Sequence, residues 1–182
     1  NNQITDLSPL TGLKLLDRLN IRENLITDLW PLVNFKQLTR VELSSNYVNC
    51  LVPLEKLTDL ESLIAPDNQL TDLRPLTKLT ALRTLQLEGN QITDLSPLVN
   101  LTQLSMLDLD NNQVRDLEPL AKLTKLTSLR IGFNQVENIK PLLKLEKLQT
   151  LWLDDNPNLT TTDISRIQKV LPDCRIHHTA DE

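Results

Sequence analysis

The sequence predicts an α/β solenoid: a right-handed stack of coils with a curved parallel β-sheet on the concave side, 3₁₀ and turn segments on the convex side, and a short C-terminal capping helix. Three observations lead there. Asparagine recurs every 22 residues, at Asn2, Asn24, Asn46, Asn68, Asn90, Asn112, Asn134 and Asn156. Proline keeps the same interval from Pro9 through Pro31, Pro53, Pro75, Pro97 and Pro119 to Pro141. Leucines fill the columns between them while aromatic residues make up only 3% of the chain, as suits a core of leucines stacked from coil to coil.

Residues 101–122, LTQLSMLDLDNNQVRDLEPLAK, serve as the template for the whole chain. Reduced to its constant positions it reads L-x-x-L-x-x-L-x-L-x-x-N-x-I/V-x-D-L-x-P-L. This pattern resembles the leucine-rich repeat in its 22-residue form, and within that class the bacterial internalin type. The phrases that carry the resemblance are NNQITDL (1–7), RVELSSN (40–46) and NQITDLSPL (90–98).

Taken in order, residues 1–12 form the back half of a coil, which suggests a chain truncated ahead of them. That would leave Ile4, Leu7 and Leu10 at an end without a polar cap, and an apolar strand edge around residues 16–21 open to self-association. Seven strands follow, centred on Leu19, Val41, Leu63, Leu85, Leu107, Leu129 and Leu151. Each has an inward partner two residues later, because strand side chains alternate between faces. The asparagine then marks the turn away from the sheet, where its amide can satisfy buried peptide groups and bond laterally to the next coil. On the convex side, Asp6, Asp28, Asp72, Asp94 and Asp116 are placed to cap short turns whose φ the prolines preset. The third coil departs from the template, with Cys50 for the aspartate and Ala65-Pro66 in the strand. A proline cannot donate to a sheet, so a break or bulge is expected there.

The array runs over residues 1–158 and the cap over 159–182. Thr160 or Thr161 offers an N-cap, Asp163 completes a capping box, Ile164, Ile167 and Leu171 share one helix face, and Pro172 stops the helix. The following LPDCRI is similar to C-terminal caps of bacterial leucine-rich repeat proteins. Internalins instead continue into an immunoglobulin-like domain, which this sequence does not contain.

A net charge of -5 argues against nucleic acid as partner, since phosphate contacts need a Lys/Arg surplus. No apolar run approaches the ~20 residues of a membrane span. Cys50 and Cys174 stand at least five coils apart, roughly 25 Å at the usual strand spacing, so both should be free thiols. Free thiols fit a cytoplasmic protein, whereas the family resemblance implies a bacterial surface or secreted one.

Nothing in the sequence implies a cofactor, a catalytic centre or a metal site. Cys174, His177 and His178 lack a base-and-orienter set. The carboxylates Glu88, Asp108, Asp110, Asp154 and Asp155 lack a tightly folded calcium loop, and a lateral bridge from Asp108 to Arg130 is the expected use. Trp30, Ile64, Met106, Phe133 and Trp152 are the apolar residues at outward positions. The candidate partner-binding face is therefore the concave sheet: Arg18, Arg22, Arg40, Glu42, Ile64, Gln86, Glu88, Met106, Asp108, Asp110, Arg130, Phe133, Trp152 and Asp154. Its charge pattern suggests a partner with an acidic feature toward the first coils and a basic one in the middle. Two functions fit this reading. One is a non-enzymatic protein-binding module, of adhesion type if the resemblance holds. The other is the regulatory or targeting arm of a larger signalling enzyme, such as a GTPase or ubiquitin ligase, whose catalytic domain lies elsewhere.

Overall fold

The computed structural model describes residues 2–180; Asn1, Asp181 and Glu182, assigned above to the first coil and the cap, lie outside them. Eight parallel strands form one sheet in chain order: β1 (Arg18–Asn20), β2 (Arg40–Glu42), β3 (Ser62–Ile64), β4 (Thr84–Gln86), β5 (Met106–Asp108), β6 (Ser128–Arg130), β7 (Thr150–Trp152) and β8 (Arg175–His177). From β1 to β7 the register offset is the repeat length, so Leu63 lies beside Leu85 and Leu85 beside Leu107. Each coil up to the one that carries β6 returns through a 3₁₀ turn such as Trp30–Leu32 or Ser96–Leu98, with proline among its first two residues. There its fixed φ suits the turn and its missing N–H is not needed. The strand leucines and the convex leucines meet between the two sides. Leu85, Leu107, Leu109, Leu129 and Leu151 are all fully buried.

The asparagine column holds the coils in register. Asn112 Nδ2 donates to the carbonyls of Leu109 and Asp110 in its own coil and to that of Leu87 in the coil before. Its Oδ1 accepts the Ile92 N–H at 2.9 Å. The same set recurs at Asn46, Asn68, Asn90, Asn134 and Asn156, all buried. Just before each asparagine from Asn24 to Asn156 stands a residue with positive φ: Glu23, Ser45, Asp67, Gly89, Asn111, Phe133 and Asp155. The left-handed turn costs a side-chain-bearing residue on the order of 1 kcal/mol. It persists because its amide bonds to the next coil, as Phe133 N–H does to Asp154 O at 2.7 Å.

Ala65-Pro66 makes no break, contrary to expectation. In every coil the residue before and the residue after this position donate to the next coil, while the position itself gives its N–H to no backbone carbonyl of the ladder. Thus Ala65 N–H bonds Gln86 O, Asp67 N–H bonds Glu88 O, and Pro66 O receives Ser45 N–H at 3.0 Å. The proline falls where the ladder requires no donor.

At the N-terminal end, residues 2–12 pack as a partial coil and Leu7 is buried, as are Leu19 and Ile21 of the expected open edge. Ile4 is exposed as expected, at 43%, and further apolar exposure at this end lies at Leu13 and Leu15, 51% and 81% exposed. At the other end, helix α1 (Thr161–Val170) carries the anticipated capping box between Thr160 and Asp163 and buries Ile164 and Ile167. The cap also adds a strand that the repeat did not announce. β8 pairs with β7 at an offset of 25 residues rather than 22, with Ile176 beside Leu151, because α1 occupies the convex side of that last coil. Cys174 is buried in the cap and Cys50 is exposed on the third coil, both free.

Candidate partner-binding face

Because the strands are in register, residues 22 apart line up in rows across the concave face. One row is Gln86, Asp108, Arg130, Trp152 and His177. Over its last three members it forms a stack. The Arg130 guanidinium lies over the Trp152 ring at 4.9 Å. The other side of that indole is covered by the His177 imidazole, stacked nearly parallel to it at 5.2 Å between centroids. Arg130 is fixed from below by two carboxylates. Asp110 Oδ2 accepts from it at 2.7 Å and Asp108 Oδ2 lies 3.3 Å away.

Asp108 and Asp110 were expected at outward positions, with Asp108 bridging to Arg130, and their side chains do lie on the concave side with that bridge formed. They are nevertheless buried, at 6% and 4% exposure. Arg130 covers them, and Asp110 Oδ1 accepts the Gly132 N–H at 2.7 Å. Burial pushes the Asp108 carboxyl up to about 6; the Asp110 N–H and Arg130 oppose this, while the charges of Asp110 and Glu88 add to it. Two buried carboxylates share one guanidinium. Gly132 has no side chain because none fits comfortably: a Cβ would lie 3.1 Å from Asp154 O and 3.3 Å from Asp110 Oδ1.

Toward the first coils the three arginines come together as expected, Arg18 directly beside Arg40. Each also has a carboxylate neighbour. Arg18 lies 3.8 Å from Asp17, Arg22 3.9 Å from both Glu23 and Glu42, and Arg40 3.7 Å from Glu42. This end is thus largely self-neutralised, which removes the reason to expect an acidic feature of the partner there. Among the apolar candidates, Met106 and Phe133 are exposed, Ile64 and Trp152 are half-buried, and Trp30 is exposed on the convex side. Glu88 and Asp154 flank the stack from the adjoining row, exposed and half-buried respectively.

His177 is the member that sequence reasoning missed. It belongs to β8, whose offset breaks the repeat. The available signal was the short alternation Arg175-Ile176-His177, with its apolar centre, directly after the helix stop.

The family model for leucine-rich repeats in two copies matches residues 58–100, 80–122 and 124–168. The chain belongs to the leucine-rich repeat family. Its repeats are internalin-like. An internalin C2 (inlC2) from Listeria monocytogenes str. 4b F2365 is 36% identical with a TM-score of 0.90, over 97% of this chain and 77% of that one. An internalin (inlF) from the same strain is 35% identical with a TM-score of 0.91, over 98% of this chain. This leucine-rich repeat chain spans about half of that internalin's length, 54%. A plant leucine-rich repeat receptor kinase ectodomain from Arabidopsis thaliana, GASSHO1/SCHENGEN3 in complex with CASPARIAN STRIP INTEGRITY FACTOR 2, matches at 25% identity and a TM-score of 0.77, over 98% of this chain and 26% of that one. No curated protein sequence matches.

Proposed function

We propose that the chain is a non-enzymatic binding module that takes a protein partner on its concave face, in a bacterial surface or secreted adhesion role. The observation that carries this reading is the Arg130–Trp152–His177 stack. Tryptophan and arginine are the residue types that most often dominate binding energy. Here both are fixed in place before any partner arrives, which lowers the ordering cost of association. Phe133 supports the same reading. It is 55% exposed at a φ of 53°, in a column where Gly89 and Asn111 meet the same turn at less cost. A large aromatic ring kept there at a conformational penalty is better explained by contact than by folding. Similarity to the two Listeria internalins supports the adhesion setting, and the complex of the plant receptor with CASPARIAN STRIP INTEGRITY FACTOR 2 supports binding by this type of scaffold.

The test is a capture experiment with three immobilised proteins: wild type, the concave double variant Trp152→Ala/Phe133→Ala, and the convex double variant Lys78→Ala/Lys122→Ala. A partner held by wild type and the convex variant but lost from the concave variant is the expected result. Retention by the concave variant with loss from the convex one would overturn the reading.

A further inference from the structure

A repeated motif on the outer side of the coils has no part in the concave face. Shortly after the proline the chain reads Lys56-Leu57-Thr58, Lys78-Leu79-Thr80, Asn100-Leu101-Thr102 and Lys122-Leu123-Thr124. Lys144 repeats the first position once more, and Glu146 ends the run of threonines. The four leucines are fully buried, while the lysines and threonines that flank them are exposed. Lateral bonds three residues beyond the threonines hold these segments in register. Arg83 N–H donates to Glu61 O and Ser105 N–H to Arg83 O, each at 2.8 Å, and Thr127 N–H donates to Ser105 O at 2.9 Å. Two parallel rows therefore run along the solenoid, one of ammonium groups and one of hydroxyls. Side chains at one repeat position reach across coils here, as Lys125 Nζ does to Gln103 Oε1 at 2.6 Å.

The lysine row is not neutralised from within. Among the described residues the ion pairs are made by arginines, and Lys56, Lys78, Lys122 and Lys144 enter none of them. Lys56 stands beside Lys78 and Lys122 beside Lys144, so like charges repel at neighbouring places, in a chain whose net charge is -5. Where Lys56 and Lys78 adjoin, the surface sinks into a groove of about 300 Å³, lined also by Glu55, Thr58, Arg74 and Thr77. Arg74 is tied to Asp72 at 2.8 Å, which leaves the two lysines as its free cations.

A straight file of point charges suits a linear polyanion. Hydroxyls donate and accept at once, which matches the hydroxyls of a sugar. The bases of a single-stranded nucleic acid need aromatic platforms, and neither row holds an aromatic residue. A bilayer surface needs apolar side chains to insert, and the leucines between the rows are buried.

We propose that the rows from Lys56 to Lys144 and from Thr58 to Thr124 bind a linear sulfated polysaccharide laid along the solenoid. The ammonium groups meet its sulfate esters and the threonine hydroxyls meet its sugar hydroxyls. This surface is separate from the concave face, so glycan here and protein partner there are independent events.

The probe is a heparin-type sulfated octasaccharide, titrated calorimetrically into the 182-residue chain at low salt beside its desulfated form, an oligothymidylate and phosphatidylserine vesicles. The sulfated sugar should bind saturably, and moderate salt should weaken it. Lys78→Gln/Lys122→Gln/Lys144→Gln should reduce the affinity about tenfold, the scale of three exposed ion pairs lost together. Arg115→Gln/Arg166→Gln/Arg175→Gln removes as much charge at exposed sites outside the rows and should leave the affinity unchanged. Thr80→Val/Thr102→Val/Thr124→Val keeps every charge and should reduce the affinity about threefold through lost hydrogen bonds. Equal losses in the two charge variants would mean non-specific attraction and overturn the proposal, as would failure of the sulfated sugar to bind. Tighter binding of the oligothymidylate or of the vesicles would replace the glycan with another partner. An unaltered affinity in the threonine variant would remove the sugar from the reading and overturn it as well.

Discussion

The asparagine column and the row through Arg130 both run sideways along the solenoid at a fixed place in every coil, yet one repeats and the other does not. In the column each side chain bonds one coil back with the same geometry, Asn112 to Leu87 and Asn134 to Leu109. Any other residue would leave buried peptide groups without partners. In the row, the backbone ladder is the same in every coil and only the side chains differ, so that glutamine, carboxylate, guanidinium, indole and imidazole succeed one another. The scaffold is therefore spelled in the positions that repeat. What varies on an outward row is free to be shaped by a partner.

The largest expected effect tests the repeating side. Leu109 is fully buried at the centre of the stack, and Leu109→Ala should destabilise by roughly 2–5 kcal/mol through lost transfer energy and the cavity left behind. Urea melts would measure it. A smaller loss, on the order of 1–3 kcal/mol, is expected for Asn112→Ala, which removes its bonds to Leu87, Leu109, Asp110 and Ile92. Unchanged stability in that variant would remove the asparagine column's claim to hold the coils together.

On the varying side, Trp152→Ala should cost about 2 kcal/mol or more in binding once a partner is in hand, with little change in the melt. Lys78→Ala and Lys122→Ala, on the convex side, should leave binding unaffected. Calorimetry that found the concave change neutral would erase the contrast between row and column.

How far the molecule could be read from its sequence follows the same division. Seven strands, their register, the asparagine bonds and the capping box were legible because each repeats a pattern or uses a local one. The strand β8 was not, since its offset of 25 residues depends on how α1 packs. Pro66 misled because the donor and acceptor positions of the ladder appear only when the coils are stacked. Outward alternation placed Asp108 and Asp110 on the correct face but could not show them buried under Arg130 and next to Gly132, which is a matter of side-chain packing between coils. The positive φ of Phe133 was equally hidden, because an aromatic residue gives no sign of a left-handed turn.

The buried carboxylate gives the row a pH signature of its own. The Asp108 pKa is raised from 3.8 to about 6 in the folded chain. Between these values the folded state holds a proton that the unfolded state has released, so this group's stabilising contribution is present below pH 3.8 and is lost as pH rises through 6. Denaturant melts of wild type and Asp108→Asn should therefore diverge over that window, with wild type losing on the order of 1–3 kcal/mol relative to the variant as pH rises, the upper end being the full shift and the lower end the shift after solvent screening. A difference independent of pH would mean that Arg130 already balances the charge.

The smallest effect concerns the one coil in which a scaffold column is interrupted. Asp28 accepts the N–H of Trp30 at 2.8 Å, Asp94 that of Ser96 at 2.8 Å and Asp116 that of Glu118 at 2.9 Å, and Asn138 serves Lys140 in the same way. In the third coil Cys50 stands at this position and brings no oxygen to Val52, although the 3₁₀ turn Val52–Leu54 still forms. Leucine burial and the proline are thus enough to make the turn, and the carboxylate should only add to it. Cys50→Asp, at an exposed site, should stabilise by about 0.5–1 kcal/mol, in the range of a helix N-cap. For a chain of this length that is a rise of roughly 1–4 °C in Tm. Cys50→Ala is the control, because it removes the thiol without adding an acceptor. If the two variants melt together, the aspartate column contributes nothing measurable to folding, and its regularity would have to be explained by something other than the turn it accompanies.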